Sequence, residues 1–241
     1  MESQQNEAAT GKVSMFTVKG VSFKMIEVKG GTFTMGASGE QADDARFDET
    51  PARSVTLDSF MIGETEVTQA LWTAVMGSNP SEHKGDNLPV ENVSWKGCIA
   101  FLGKLQLLTQ RNFRLPTEAE WEFAARGGNM SCGYKYAGSN DLSEVAWYDM
   151  NSGLCTHEVK TKSPNELGLY DMSGNVKEWC SDWYTNYEYV TTVNPKGPDV
   201  GNHRVNRGGC FNMMGRYCRV STRFENTEEC ATGYIGLRLS L

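Results

Sequence analysis

The sequence predicts a mixed α+β domain with a loop-rich second half, on three observations. Apolar residues near the start alternate at strand spacing around a glycine turn. Three helical patterns with recognisable ends come next. After Gly127, glycine, asparagine, serine and aromatic residues interrupt every few positions, so no helix of ordinary length fits there. At 241 residues the chain is long enough for one large domain with a sizeable core.

Taken in order, residues 1–20 read as a flexible polar leader and 21–241 as the domain. Val21–Val28 and residues 32–35 flank Lys29-Gly30-Gly31, and Phe33 and Met35 alternate with Thr32 and Thr34, which predicts a β-hairpin. The segment 41–51, QADDARFDETP, is acidic without an apolar period and reads as a solvated loop. Asp43, Asp44 and Asp48 are conceivable calcium ligands there, against the commoner case of a hydrated charge run. A strand is expected at 54–60.

Thr68 begins a helix, Gln69–Met76, that Gly77 stops, and Ser94 caps a longer one whose Cys98, Phe101, Leu102 and Leu105 recur at helical spacing. Thr117 and Glu120 form a T-x-x-E capping box after Pro116. Gly127 ends this third helix, whose Trp121, Ala124 and Ala125 share a buried face. In the long stretch beyond it, Trp147, Trp179, Trp183 and Phe211 are the available anchors, since long loops inside a domain are either functional or held down. At the end, Ile235, Leu237, Leu239 and Leu241 alternate with Gly236, Arg238 and Ser240. That predicts a half-buried strand pairing with the N-terminal hairpin.

Hydrophobic residues at 39 % and charged residues at 22 % give an ordinary globular balance. The net charge of −7 disfavours a general grip on nucleic-acid phosphates. No stretch approaches the roughly 18 apolar residues of a membrane span. The polar start, MESQQNEAATGK, fits an exported protein that has lost its signal as well as a cytoplasmic one. Cys98, Cys132, Cys155, Cys180, Cys210, Cys218 and Cys230 form no CxxC pair, which argues against a zinc knuckle or a complete disulfide framework and leaves mostly buried free thiols. His83, His157 and His203 lie far apart, so a histidine-rich metal centre is not expected.

The strings GGTFTMG (30–36), EVTQALW (66–72), PVENVSW (89–95), FRLPTEAEWEFAARGG (113–128), GLYDMSGNVKEW (168–179), RVNRGG (204–209) and GLRL (236–239) together resemble the formylglycine-generating-enzyme (sulfatase-modifying factor) domain family. The resemblance implies a C-type-lectin-like fold. In the enzymes of that family it also implies oxidation of a substrate cysteine to formylglycine through copper(I) held by two cysteines, since thiolates select that ion. The first copper position falls here on Met213 and the second on Cys218. A neutral thioether cannot serve as a thiolate or exchange with a substrate thiol, so neither the oxidase chemistry nor copper is expected.

The tail also resembles the variable proteins of diversity-generating retroelements, which use the same fold as a scaffold. Their frame of RGG, a patch, CRVS, a longer patch and a closing strand matches RGG-CFNMMGRY-CRVS-TRFENTEECATGY-IGLRLSL, so 204–241 is the candidate variable tail. On this reading the ligand-binding residues are Cys210, Phe211, Asn212, Met213, Met214, Arg216, Tyr217, Thr222, Phe224, Glu225, Asn226, Glu228, Glu229, Thr232 and Tyr234. Aromatics and arginine on ordered loops are the stuff of binding hot spots. For Phe224 and Tyr234 taken singly, tucking under the loop is an equal alternative. Changing only adenines in asparagine codons does not produce Met213, Met214 or the glutamates, which need other template codons.

Carried over residue by residue, a calcium site of the enzymes would use the Asp171 and Glu178 side chains with the Gly174 and Val176 carbonyls, chemistry that suits calcium. The alternative is a turn whose carboxylates accept backbone N–H groups. Lys177 replaces a common aromatic beside it, and a second calcium site of the enzymes is not matched around 145–153. Of the late arginines, Arg204, Arg207, Arg216, Arg219 and Arg223, the framework pair Arg207 and Arg219 reads as structural and Arg216 as a ligand contact. The expectation is a monomeric, exported or cell-surface receptor for a protein or surface macromolecule. It is not an enzyme, binds no nucleic acid, and has calcium as its one candidate cofactor.

Overall fold

The computed structural model describes residues 12–241. Strands β1 (Val13–Val18) and β2 (Val21–Val28) form the opening hairpin around Lys19 and Gly20, whose φ values of 46° and 86° suit a two-residue hairpin turn. The domain therefore begins before residue 21. The expected leader is corrected to end ahead of Val13, and its residues 1–11 lie outside the described residues.

Lys29-Gly30-Gly31 is not a hairpin turn. β2 pairs on its other side with β5 (Phe60–Gly63), while β3 (Gly31–Met35) joins β4 (Arg53–Leu57) in a second sheet, to which β7 (Thr192–Val193) adds in parallel. The reason is a close crossing: a Cβ on Gly30 would sit 2.4 Å from the Leu57 carbonyl oxygen, so the glycine lets the backbone pass from one sheet into the next. The single strand expected at 54–60 is split by the same switch into β4 and β5. Residues 41–51 are not a solvated loop either. They contain short 3-10 turns, Gly39–Asp44 and Phe47–Glu49, that bury Gln41, Asp48 and Glu49.

The three helices follow their caps. Thr68 Oγ1 accepts from Leu71 N ahead of α1 (Gln69–Met76), and Gly77 closes it at φ 83°. Ser94 Oγ accepts from Gly97 N ahead of α2 (Trp95–Thr109). At α3 (Glu118–Ala125) Thr117 Oγ1 accepts from Glu120 N at 3.1 Å, while Glu120 Oε2 accepts from Thr117 N at 2.8 Å. Beyond Gly127 the described residues contain one α-helical turn, α4 (Leu142–Val145).

A third sheet runs β10 (Ile235–Leu237), β6 (Lys177–Trp183), β8 (Arg204–Arg207), β9 (Arg223–Asn226), with β10 parallel to β6. The closing segment meets the N-terminal sheet through β5, not the hairpin itself: Gly63 N donates to Leu239 O and Met61 N to Leu241 O. It is also not half-buried, because Arg238 and Ser240 are as enclosed as the leucines between them. One apolar core gathers under α3, with Trp121 and Phe123 against Val55, Leu169, Val205 and Val220. The other lies under α1 and α2, with Trp72, Phe101 and Leu105 against Trp179 and Leu237.

Candidate functional site

The tail is fastened from within by arginines. Arg207, Arg219, Arg223 and Arg238 are all buried, and each meets a buried glutamate from another part of the sequence. Arg223 donates to Glu118 at 2.6 and 2.8 Å and Arg219 to Glu49 at 2.7 and 2.5 Å. Arg238 donates to Glu178 at 2.7 Å, and Arg207 pairs with Glu122 while bonding the Ser221 and Thr222 carbonyls. Burial alone pushes the Glu118 carboxyl up, yet Arg223 and Arg207 hold it below its ordinary pKa. Two-point guanidinium pairs of this kind fix direction as well as distance. Glu118 and Glu122 stand one turn apart on α3, so that helix sets where β8 ends and β9 begins.

Between these ties the backbone must turn sharply. Gly208 and Gly209 have φ of 99° and 72°, and a Cβ on Gly209 would lie 2.7 Å from Tyr217 O and 2.8 Å from Cys218 Sγ. Only glycine fits there. Beyond this turn the tail faces outward: Asn212, Met214 and Arg216 are exposed and Met213 and Tyr217 half-buried. Along β9 the exposure rises from Arg223, enclosed, through Phe224, half-buried, to Glu225, exposed. The Tyr217 and Phe224 rings are 6.3 Å apart, and Arg216 lies over Tyr217 at 4.9 Å. Arg46 reaches Phe224 from the first loop at 5.9 Å. The Lys177 ammonium sits 4.9 Å from the Phe224 ring and 4.8 Å from that of Tyr234. Arg216, Tyr217, Phe224, Lys177 and Tyr234 thus form one continuous row of cations and rings.

Three of the expected ligand contacts face inward. Cys210 and Thr222 are fully enclosed, and Phe211 packs edge-on against His83 at 5.8 Å with its backbone bonded to Asn175 O and Ser152 Oγ. They belong to the frame because Gly209 aims Cys210 into the fold and Arg207 pulls the Thr222 carbonyl inward. Glu228 is tied to Arg204, itself stacked between Trp95 and Trp183 at 3.9 and 3.5 Å, and Glu229 pairs with Lys96. Thr232, Asn226 and Tyr234 are half-buried beside them. Lys177 and Arg46 join this surface although the sequence reading of the ligand contacts does not include them. The replacement of an aromatic by Lys177 is the one sequence signal that points to it.

The donor atoms do not fit the metals that the enzymes' pattern implies. Cys218 is enclosed with its thiol pushed up by burial, Cys210 is pushed up to about 11, and Met213 offers no thiolate. In the calcium turn, Glu178 accepts from both Arg238 and Trp121 Nε1, so a guanidinium stands where a dication would have to approach. Asp171 Oδ2 accepts from Lys160 N while its Oδ1 is unpaired, and burial pushes its carboxyl up to about 6. The Gly174-Asn175-Val176 turn is gripped by Glu66, which accepts from Asn175 Nδ2 and Val176 N. Glu178 thus serves the frame and Glu66 the turn, while Asp171 keeps one buried oxygen without a partner. All seven cysteines are free, and four of them are buried.

Residues 17–241 match the model of the sulfatase-modifying factor enzyme 1-like domain. Chaperone protein LppX of Paenibacillus barcinonensis is 34 % identical, over 78 % of this chain and 79 % of that protein. The formylglycine-generating enzyme of Streptomyces coelicolor is 32 % identical, over 88 % and 87 %. Among solved structures, Treponema denticola variable protein 1 superposes with a TM-score of 0.86 at 34 % identity, covering 96 % of this chain and 99 % of that one. The mixed sheets, few helices and long ordered loops are the C-type-lectin-like architecture of this group. No helix among the described residues is long and apolar enough to cross a membrane.

Proposed function

Because the chain belongs to the sulfatase-modifying factor enzyme 1-like domain family, whose members divide between catalysis and other roles, we propose from its own site that it is a non-catalytic ligand-binding protein. The observation that carries this reading is the row that runs from exposed Arg216 through the half-buried rings of Tyr217, Phe224 and Tyr234 to the enclosed Lys177, on a frame locked by four buried ion pairs. A preformed surface of rings and cations loses little conformational freedom on association, which favours a protein or other macromolecular ligand. Likeness to a protein named a variable protein supports the further reading that the surface-facing residues of the patches at 210–217 and 222–234 are diversified by a retroelement, and a receptor of that kind would work at the cell surface.

The competing reading is the formylglycine-generating oxidase, supported by the Streptomyces relative and opposed by Met213 at a thiolate position. Incubating the protein with copper(I), oxygen and a sulfatase-motif peptide decides between them. The expected result is no loss of the peptide cysteine, and catalytic turnover would overturn the proposal. For diversification, the DNA beside the gene is expected to carry a near-copy of the tail differing at adenines next to a reverse transcriptase. Its absence would remove the retroelement reading and leave a fixed binding module.

A further inference from the structure

Lys177 is the one lysine among the buried described residues, at 4 % exposed, and it differs from every buried arginine of the frame. Each of those meets a carboxylate, whereas no carboxylate of the described residues lies within the 4.0 Å of an ion pair from the Lys177 ammonium. The Cys210 and Cys230 thiols lie near it, and the ring faces it meets are those of Phe224 and Tyr234. Its backbone N is spent on Tyr234 O, which fixes the residue at the start of β6 between the two patches. The ammonium still reaches solvent.

A buried cation without an anion is costly, and two ring faces offset only part of that cost. Burial accordingly pulls the Lys177 pKa below the usual lysine range. The site thus carries one uncompensated positive charge in a slot between two flat rings. The ammonium is a point charge and lacks the planar fork by which a guanidinium matches a phosphate or sulfate dianion. A single flat monoanion is the complement.

We propose that Lys177, framed by Phe224 and Tyr234, is a carboxylate-binding subsite of the ligand surface, and that the ligand is a protein presenting an aspartate or glutamate side chain or its C-terminal carboxylate to it. The inference rests on the ligand-binding reading and adds its chemistry.

The test uses acetate as the probe and thermal unfolding as the readout, with chloride at matched ionic strength as reference. Acetate at about five times its dissociation constant is expected to raise the Tm of the wild type by about 2–4 °C over chloride. K177M keeps the length and apolar packing of the side chain. It is expected to unfold at the same temperature as wild type or higher, and to show no acetate effect. Equal action of acetate and chloride, or an acetate effect retained in K177M, overturns the subsite. A larger shift with inorganic phosphate than with acetate overturns the carboxylate assignment. Failure here leaves the ligand-binding reading standing, because that reading falls only to turnover in the copper assay, and such turnover would not alter the acetate result.

Discussion

Arg223 and Glu118 meet through two parallel hydrogen bonds of 2.6 and 2.8 Å in the interior, while the next residue along, Phe224, looks outward. Adjacent residues of β9 thus carry an enclosed anchor and a half-buried ring at the surface. Removing one partner of such a pair strands a buried charge, so Arg223→Ala is expected to lower unfolding stability by about 3–5 kcal/mol. Chemical denaturation measures this. A loss below about 1 kcal/mol would mean that the tie does not hold β9 in place.

The outward residues should behave oppositely. The side chain of Met214, at 53 % exposed, and that of Arg216 make no hydrogen bond to a buried residue, and the Arg216 carbonyl that accepts from Arg219 survives truncation of the side chain. Met214→Ala and Arg216→Ala are each expected to change stability by no more than about 0.5 kcal/mol. A destabilisation comparable to that of Arg223→Ala in either variant would show that the loop is part of the frame.

Chelation is expected to leave the melting temperature unchanged. The Glu178 carboxylate already accepts from Arg238 and Trp121, so no calcium-dependent stability resides in the 171–178 turn. A scan with and without EDTA decides this, and a drop of several degrees would reinstate calcium there.

Asp182 should impose a pH dependence. Burial, with the Glu118 charge second, pushes its carboxyl up to about 7. The folded protein then retains a proton that the unfolded one releases near pH 4, so stability falls as the pH rises from about 4 to about 7. Asp182→Asn keeps an oxygen to accept from Glu118 N and Ser181 Oγ without that titration. The variant is expected to lose less stability than wild type between pH 5 and pH 8, with a remaining slope from Glu91 and Asp171, which are pushed up to about 7 and about 6. Identical slopes in the two proteins would remove Asp182 from this role.

The helices are legible in the sequence because their signals are local: Thr68, Ser94 and Thr117 cap within three residues of what they cap. The opening hairpin is legible too, in Lys19-Gly20 between two apolar runs, but Lys29-Gly30-Gly31 offers a second turn signal and draws the pairing there. That competitor fails for a reason no local window contains, the approach of Gly30 to Leu57. The same holds for the acidic segment at 41–51, where Glu49 looks solvated until Arg219, far along the sequence, is brought to it. At the site, the family frame marks out the two patches, and their composition shows which rings they hold but not how far each is exposed. The inward turn of Cys210, Phe211 and Thr222 and the arrival of Lys177 from β6 depend on long-range pairing.

The four arginine ties enter the tail at 207, 219, 223 and 238, between the stretches that face outward, so substitutions confined to those stretches leave every tie intact. Side chains at the surface are thereby uncoupled from the ties that hold the backbone, so what the tail displays and whether the chain folds are set by different residues.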